Sequence, residues 1–277
     1  MFTRNPYGYF EMMKERFELF GPADEYVAAQ HECGPAVIDV YLRQLVEQEP
    51  CRTILDAGCG VGKAVTALVR AGYDAYGLDL PDLSRFWAAE KNDPQRFVAG
   101  SATHLPFADN TFDFVYSFGV IEHIGTVFGD CALKDDYWKE RQEYAREIVR
   151  VTKPGGRILI ACPNKTFPID IQHGPSDMVE KAGRIRSFIY DKTGMNLHKT
   201  WGRYHLLSYP EVEDLFVRKG GGKKLEALPL RNYFQFGRFK KGFLKPFGGL
   251  AEFWVNHMPE SIRSSFLNPY LMAQIRK

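Results

Sequence analysis

Between Ile54 and Lys63 the chain reads ILDAGCGVGK, an acidic residue followed by glycines at Gly58, Gly60 and Gly62. A short apolar run precedes them, so a strand ends in a glycine turn that opens a helix. Such a turn offers backbone N–H groups, and the missing side chains let a ligand lie against bare main chain. A phosphate-binding P-loop is excluded: Gly58 and Gly62 are one residue too close, and Ala64 follows the lysine where Ser or Thr is required. The dinucleotide spacing GxGxxG is a poor match, because its third glycine belongs where Lys63 stands. Asp79, in the stretch YGLDL, is a carboxylate suited to two ribose hydroxyls at once. His123, in IEHI, is the first candidate for a general base because imidazole titrates near neutrality, and His205 is the second.

The elements that must position these residues alternate in type. TILDAG reads as a buried strand, KAVTALVRAG as a helix stopped by Gly72, and DAYGLDL as a second strand. SRFWAAEKN reads as a helix capped by Ser84, RFVAGSA as a third strand and FDFVYSFG as a fourth, buried on both faces. The charged segment KDDYWKERQEYAREIVRVT is a helix that KPGG should end, and RILIACPN is a fifth strand. This rhythm predicts an α/β fold, a doubly wound and mostly parallel sheet with right-handed crossovers. KKLEALPL and PYLMAQIRK read as a closing strand pair, and SYPEVEDLFVRKGG as a helix starting at Ser208.

The acidic residue with GxGxG, at Asp56, Gly58, Gly60 and Gly62, resembles the first motif of the class I S-adenosylmethionine-dependent methyltransferases. The resemblance continues in order through YGLDL, GSATHLPFADNTFDFVYS, VIEHI and EIVRVTKPGGRILIACPN. It is to the small-molecule branch of methyltransferase type 11. It implies a Rossmann-like sheet of seven strands whose last strand is antiparallel and S-adenosyl-L-methionine as methyl donor; acceptor-sized insertions and the aromatic stretch FGRFKKGFLKPFGGLAEFW point to a small acceptor, apolar or aromatic.

On that resemblance Asp56 fixes the turn by accepting loop N–H groups, while Gly58, Cys59 and Gly60 pass beside the donor. Asp79 takes the ribose, Leu80 packs on the adenine, Ser101 and Ala102 meet its amine, and the Phe118 carbonyl meets the ammonium. Ser101 stands where the family often has an acidic residue. Glu122 beside His123 reads as structural. His173, His198 and His205 are spread too widely for metal-ligand spacing, so no metal is expected.

The net charge of +2 gives no electrostatic footprint for nucleic acid. Five scattered cysteines, Cys33, Cys51, Cys59, Cys131 and Cys162, without a CxxC pair, read as reduced thiols. No apolar run suits a membrane span and the first residues are too charged for a secretory signal, which makes the cytoplasm the expected location. Residues 1–50, with Tyr7, Tyr9, Phe10, Phe17 and Phe20, read as a helical cover on a catalytic domain spanning 51–277. Insertions at about 165–209 and 231–268 are candidate acceptor lids, the second reading as an apolar wall or ordinary packing. Two other functions fit the same residues: a nicotinamide-dependent oxidoreductase, and a scaffold that binds the donor without transfer.

Overall fold

The computed structural model describes residues 41–48, 51–89, 93–127, 132–170, 172–173, 184–193, 195–230 and 245–277. The aromatic cover expected before Tyr41, and Cys33 and Cys131, lie outside the described residues. In chain order the main elements are α1 (Arg43–Gln48), β1 (Thr53–Ala57), α2 (Lys63–Arg70), β2 (Asp74–Asp79), α3 (Ser84–Ala89), β3 (Phe97–Ala99) and β4 (Phe112–Phe118). They continue with α4 (Tyr137–Val151), β5 (Thr152–Pro163), β6 (Ile169–Asp170), α5 (Arg184–Thr193), β7 (Asn196–Leu197), α6 (Tyr209–Glu213), β8 (Lys224–Ala227), α7 (Lys245–Asn256) and β9 (Tyr270–Arg276).

Seven strands form one sheet in the order β3-β2-β1-β4-β5-β9-β8, and β6 and β7 pair separately. β1 runs parallel to β2 and to β4, and β2 parallel to β3. β8 and β9 are antiparallel, with Lys224 opposite Arg276 and Ala227 opposite Ala273. The closing pair expected from the sequence is present. Parallel strands covered on both faces need continuous apolar runs. Ile54, Leu55, Phe114, Val115 and the run from Ile158 to Cys162 supply them, all fully buried.

The chain divides into two compact units. The first holds residues up to Ser117 with Glu143–Ile158, and so contains the glycine turn, β2 and β3. Here α2 ends as expected: Gly72 has φ 92°, its N–H bonds the Val69 carbonyl, and the Tyr73 N–H bonds that of Leu68. Two local expectations fail. Ser84 caps nothing by accepting; its hydroxyl donates to the Pro81 carbonyl, closing a short 3₁₀ turn at Pro81–Leu83. KPGG does not separate helix from strand: β5 begins at Thr152 and runs through it, with Gly155 N–H bonded to the Lys277 carbonyl and Lys277 N–H to that of Gly156. Edge pairing with the last residue keeps those glycines in the sheet.

The second unit holds Phe118–Gln142 and Leu159–Arg276. Ser208 caps α6 through a reciprocal box with Glu211, whose carboxylate accepts from the Ser208 N–H at 2.8 Å. β6 and β7 pair antiparallel, Asp170 opposite Asn196. The segment expected to be an apolar wall contains α7, where Leu250 is 68% and Phe253 62% exposed. One side of it nevertheless packs inward, through Val255 and, just past its end, Met258, both buried; 231–244 lie outside the described residues.

Candidate active site

The glycine turn is held from two sides in the first unit. Asp79, at the end of β2, accepts the Gly60 N–H at 2.6 Å on one oxygen and the Leu80 N–H at 2.7 Å on the other. Trp87, on α3, donates its indole N–H to the Gly60 carbonyl at 2.8 Å. The Gly58 and Cys59 N–H groups both reach the Leu78 carbonyl. Gly62 has φ 83°, and an added Cβ would lie 2.5 Å from the Phe97 ring, which stacks on Trp87. That position demands glycine for both conformation and space. Burial raises the Asp79 carboxyl to about 6, against the two N–H bonds that favour its charged form.

Asp56 has a different partner from the expected loop N–H groups. β1 and β4 are in register with Asp56 opposite Tyr116, and the Tyr116 hydroxyl donates to the Asp56 carboxylate at 2.8 Å. The loop N–H role falls to Asp79 instead. Burial pushes the Asp56 carboxyl up to about 8, with the Tyr116 bond opposing and the Asp79 charge adding to the rise. Beyond β3 the Ser101 hydroxyl lies 2.8 Å from that of Thr103 and Ala102 is buried. Leu80 precedes the 3₁₀ turn, and Phe118 ends β4.

The second unit gathers five ionisable side chains that are far apart in sequence. His123 closes the short turn Ile121–His123 after β4, and its Nε2 lies 3.3 Å from Nε2 of His173. His173 Nδ1 sits 3.0 and 3.1 Å from the two oxygens of Asp170, which also accepts the Gln172 and His173 N–H groups. His205 Nε2 is 3.4 Å from Asp170, at the edge of hydrogen-bond range. Glu122 is fully buried, and neither of its oxygens has a hydrogen-bond partner among the described residues. Burial raises its carboxyl to about 7, with the His173 charge opposing. Buried Arg141 spends its donors on carbonyls: those of Ile124, Glu122 and His205 at 3.1, 3.2 and 2.6 Å.

Residues 55–160 match the family described as methyltransferase domain. Over those residues the chain is similar to a methyltransferase domain. An uncharacterized methyltransferase of Mycobacterium sp. (strain JLS) is 32% identical over 147 residues, covering 53% of this chain and 52% of that protein. One of Mycobacterium marinum is 31% identical over 149 residues, covering 53% and 52%. The chain thus spans about half the length of the curated relatives it matches. A crystal structure of PH0226 protein from Pyrococcus horikoshii OT3 aligns over 87% of this chain and 89% of that one at 17% identity, TM-score 0.49, too distant a likeness to argue from.

Within the matched residues, hydrogen bonds hold Gly58, Cys59, Gly60, Asp79 and Leu80 about one turn, while Asp56 faces Tyr116. Trp87 and Tyr116 were not foreseen; an indole at the start of a helix and a tyrosine in a buried strand read as core. The histidines part from expectation more sharply. His123, His173 and His205 are brought together with Asp170 and Glu122, so their ligand atoms fall in two groups of metal-binding size. Wide spacing in sequence hid this, because the β6–β7 pairing does the gathering. His205 is fully enclosed and burial lowers its basicity to about 4, which argues against its role as a base. His198 instead stacks on Tyr204.

Proposed function

We propose that this protein transfers a methyl group from S-adenosylmethionine to a small-molecule acceptor by in-line displacement at the sulfonium carbon. Asp79 carries the reading. An ionised carboxylate offers about four acceptor positions, and Asp79 has two occupied by backbone N–H groups. Two remain for a pair of vicinal ribose hydroxyls. The donor has no phosphate, so a loop without a phosphate-gripping Lys-Ser pair suits it, and the positive-φ glycines let its sugar and amino-acid parts approach main chain. Leu80, Ser101 and Ala102 are assigned to the adenine, and the Phe118 carbonyl to the ammonium.

Much of the barrier reduction in such a displacement comes from holding the nucleophile about 3–3.5 Å from the transferred carbon. A hydroxyl or phenol acceptor must also lose a proton, and we assign His123 as the base that takes it. Free thiols at Cys51, Cys59 and Cys162 are consistent with a reducing, cytoplasmic setting. Calorimetric titration tests the proposal. S-adenosylmethionine and S-adenosylhomocysteine should both bind, NADH should not, and Asp79→Asn should weaken both by roughly 10–100-fold, the worth of a charged hydrogen bond. Absence of binding by either sulfur nucleoside would overturn it.

A further inference from the structure

Glu122 poses a problem that the methyl-transfer reading leaves unsolved. A fully buried carboxylate with neither oxygen hydrogen-bonded is costly unless a cation answers it. The Arg141 charge favours an ionised Glu122, but its hydrogen bonds go to carbonyl oxygens and leave both Glu122 oxygens without a donor among the described residues.

The histidines beside it are arranged as ligands. Asp170 accepts two backbone N–H groups and faces His173 Nδ1 with both oxygens. A carboxylate only accepts, so Nδ1 carries the proton and Nε2 presents its lone pair. That lone pair faces His123 Nε2 at 3.3 Å. Two imidazole nitrogens on one tetrahedral ion at bonds of about 2.0–2.1 Å stand about 3.3 Å apart. A carboxylate behind a ligating histidine is the usual device for fixing its ring and tautomer. Ligand atoms of Glu122, His123 and His173 all lie within 4.8 Å of one another.

We propose that Glu122, His123 and His173 bind one divalent transition-metal ion of the zinc type, with Asp170 as the positioning residue behind His173. The alternative is protons, one in the His123–His173 contact and one on Glu122, which still leaves both Glu122 oxygens without a hydrogen-bond partner among the described residues; a cation would engage all three side chains. The second group of metal-binding size, Asp170, His173 and His205, is the poorer site, because Asp170 is already engaged by three donors. Three protein ligands leave a coordination position open, as catalytic rather than structural sites do. A hydroxyl bound there would have its pKa lowered by the ion.

The test uses the purified full chain, stripped by chelator and dialysed against zinc, with bound metal measured by mass spectrometry and cobalt(II) uptake followed by visible absorption. Wild type should take up one ion per chain. Glu122→Gln and His173→Ala should lose it. Asp170→Asn should weaken it by roughly 10–100-fold, because an amide N–H facing Nδ1 would force the proton onto Nε2. Should His173→Ala fail to fold, Glu122→Gln and Asp170→Asn decide the matter. No uptake by wild type, or uptake unchanged in these variants, overturns the proposal. S-adenosylhomocysteine titrated into the same preparations keeps the two readings apart, since its binding needs Asp79 and not the metal.

Discussion

Replacing Asp56 with asparagine should change how stability depends on pH more than it changes the fold. Asp56 is buried, accepts the Tyr116 hydroxyl at 2.8 Å, and has its carboxyl raised to about 8 by burial, with the Tyr116 bond opposing and the Asp79 charge reinforcing. In the unfolded chain an aspartate titrates near 3.9. The folded protein therefore keeps a proton that the unfolded chain releases between those two values. Its contribution is fully present below about pH 4 and is lost as pH rises through the folded value. The slope is at most about 1.4 kcal/mol per pH unit, and the whole window amounts to on the order of 5 kcal/mol. Asparagine is neutral throughout and its amide oxygen can still accept from Tyr116. Urea denaturation of both proteins from about pH 5 to about pH 9 provides the assay. Wild type should lose stability with rising pH more steeply than Asp56→Asn, leaving the variant the more stable at alkaline pH. Parallel curves would mean that Asp56 is ionised in the folded state, and the account of its burial would be wrong.

Gly62→Ala should cost roughly 2–4 kcal/mol in denaturant titration, from positive φ and from a Cβ placed 2.5 Å from a Phe97 ring that cannot swing without leaving Trp87. Asp113 behaves oppositely to Asp56: against the desolvation that raises it, bonds from Lys153, Thr53 and Arg52 hold its carboxyl at about 2. A lowered carboxyl stabilises above its unfolded value, so this contribution, on the order of 2 kcal/mol, is lost as pH falls from about 4 to about 2. Asp113→Asn should flatten that acid limb in thermal unfolding monitored by circular dichroism. Trp87→Phe should keep the stack on Phe97 but lose the bond to the Gly60 carbonyl, weakening donor binding by roughly 10-fold with a stability loss of about 1 kcal/mol.

What the sequence disclosed divides by distance along the chain. The glycine turn, Gly72 and the Ser208 cap depend on neighbours within a few residues, and local residue chemistry foretold all three; the bond from Gly60 to Asp79, 19 positions on, it did not. The closing pair of β8 and β9 was legible because two apolar runs had no other place in the sheet. Asp56 was misjudged because its partner Tyr116 lies 60 positions away and meets it only through strand register. The histidine cluster was missed for the same reason on a larger scale. Its members come from the turn after β4, the end of β6 and the segment after β7, and only the contacts of His123 with His173 and of His173 and His205 with Asp170 show that they converge. Glu122 read as structural because nothing local reveals that its carboxylate is buried without a donor. In KPGG, a turn motif was overruled by pairing with the last residue of the chain.

A crystal structure with S-adenosylhomocysteine bound most directly tests the idea that a nucleoside lies along the Gly58–Gly62 backbone with its sugar on Asp79. The account predicts both ribose hydroxyls donating to the Asp79 carboxylate while Gly60 N–H keeps its bond to the same group. A nucleoside found elsewhere, or a ribose with no contact to Asp79, would contradict it.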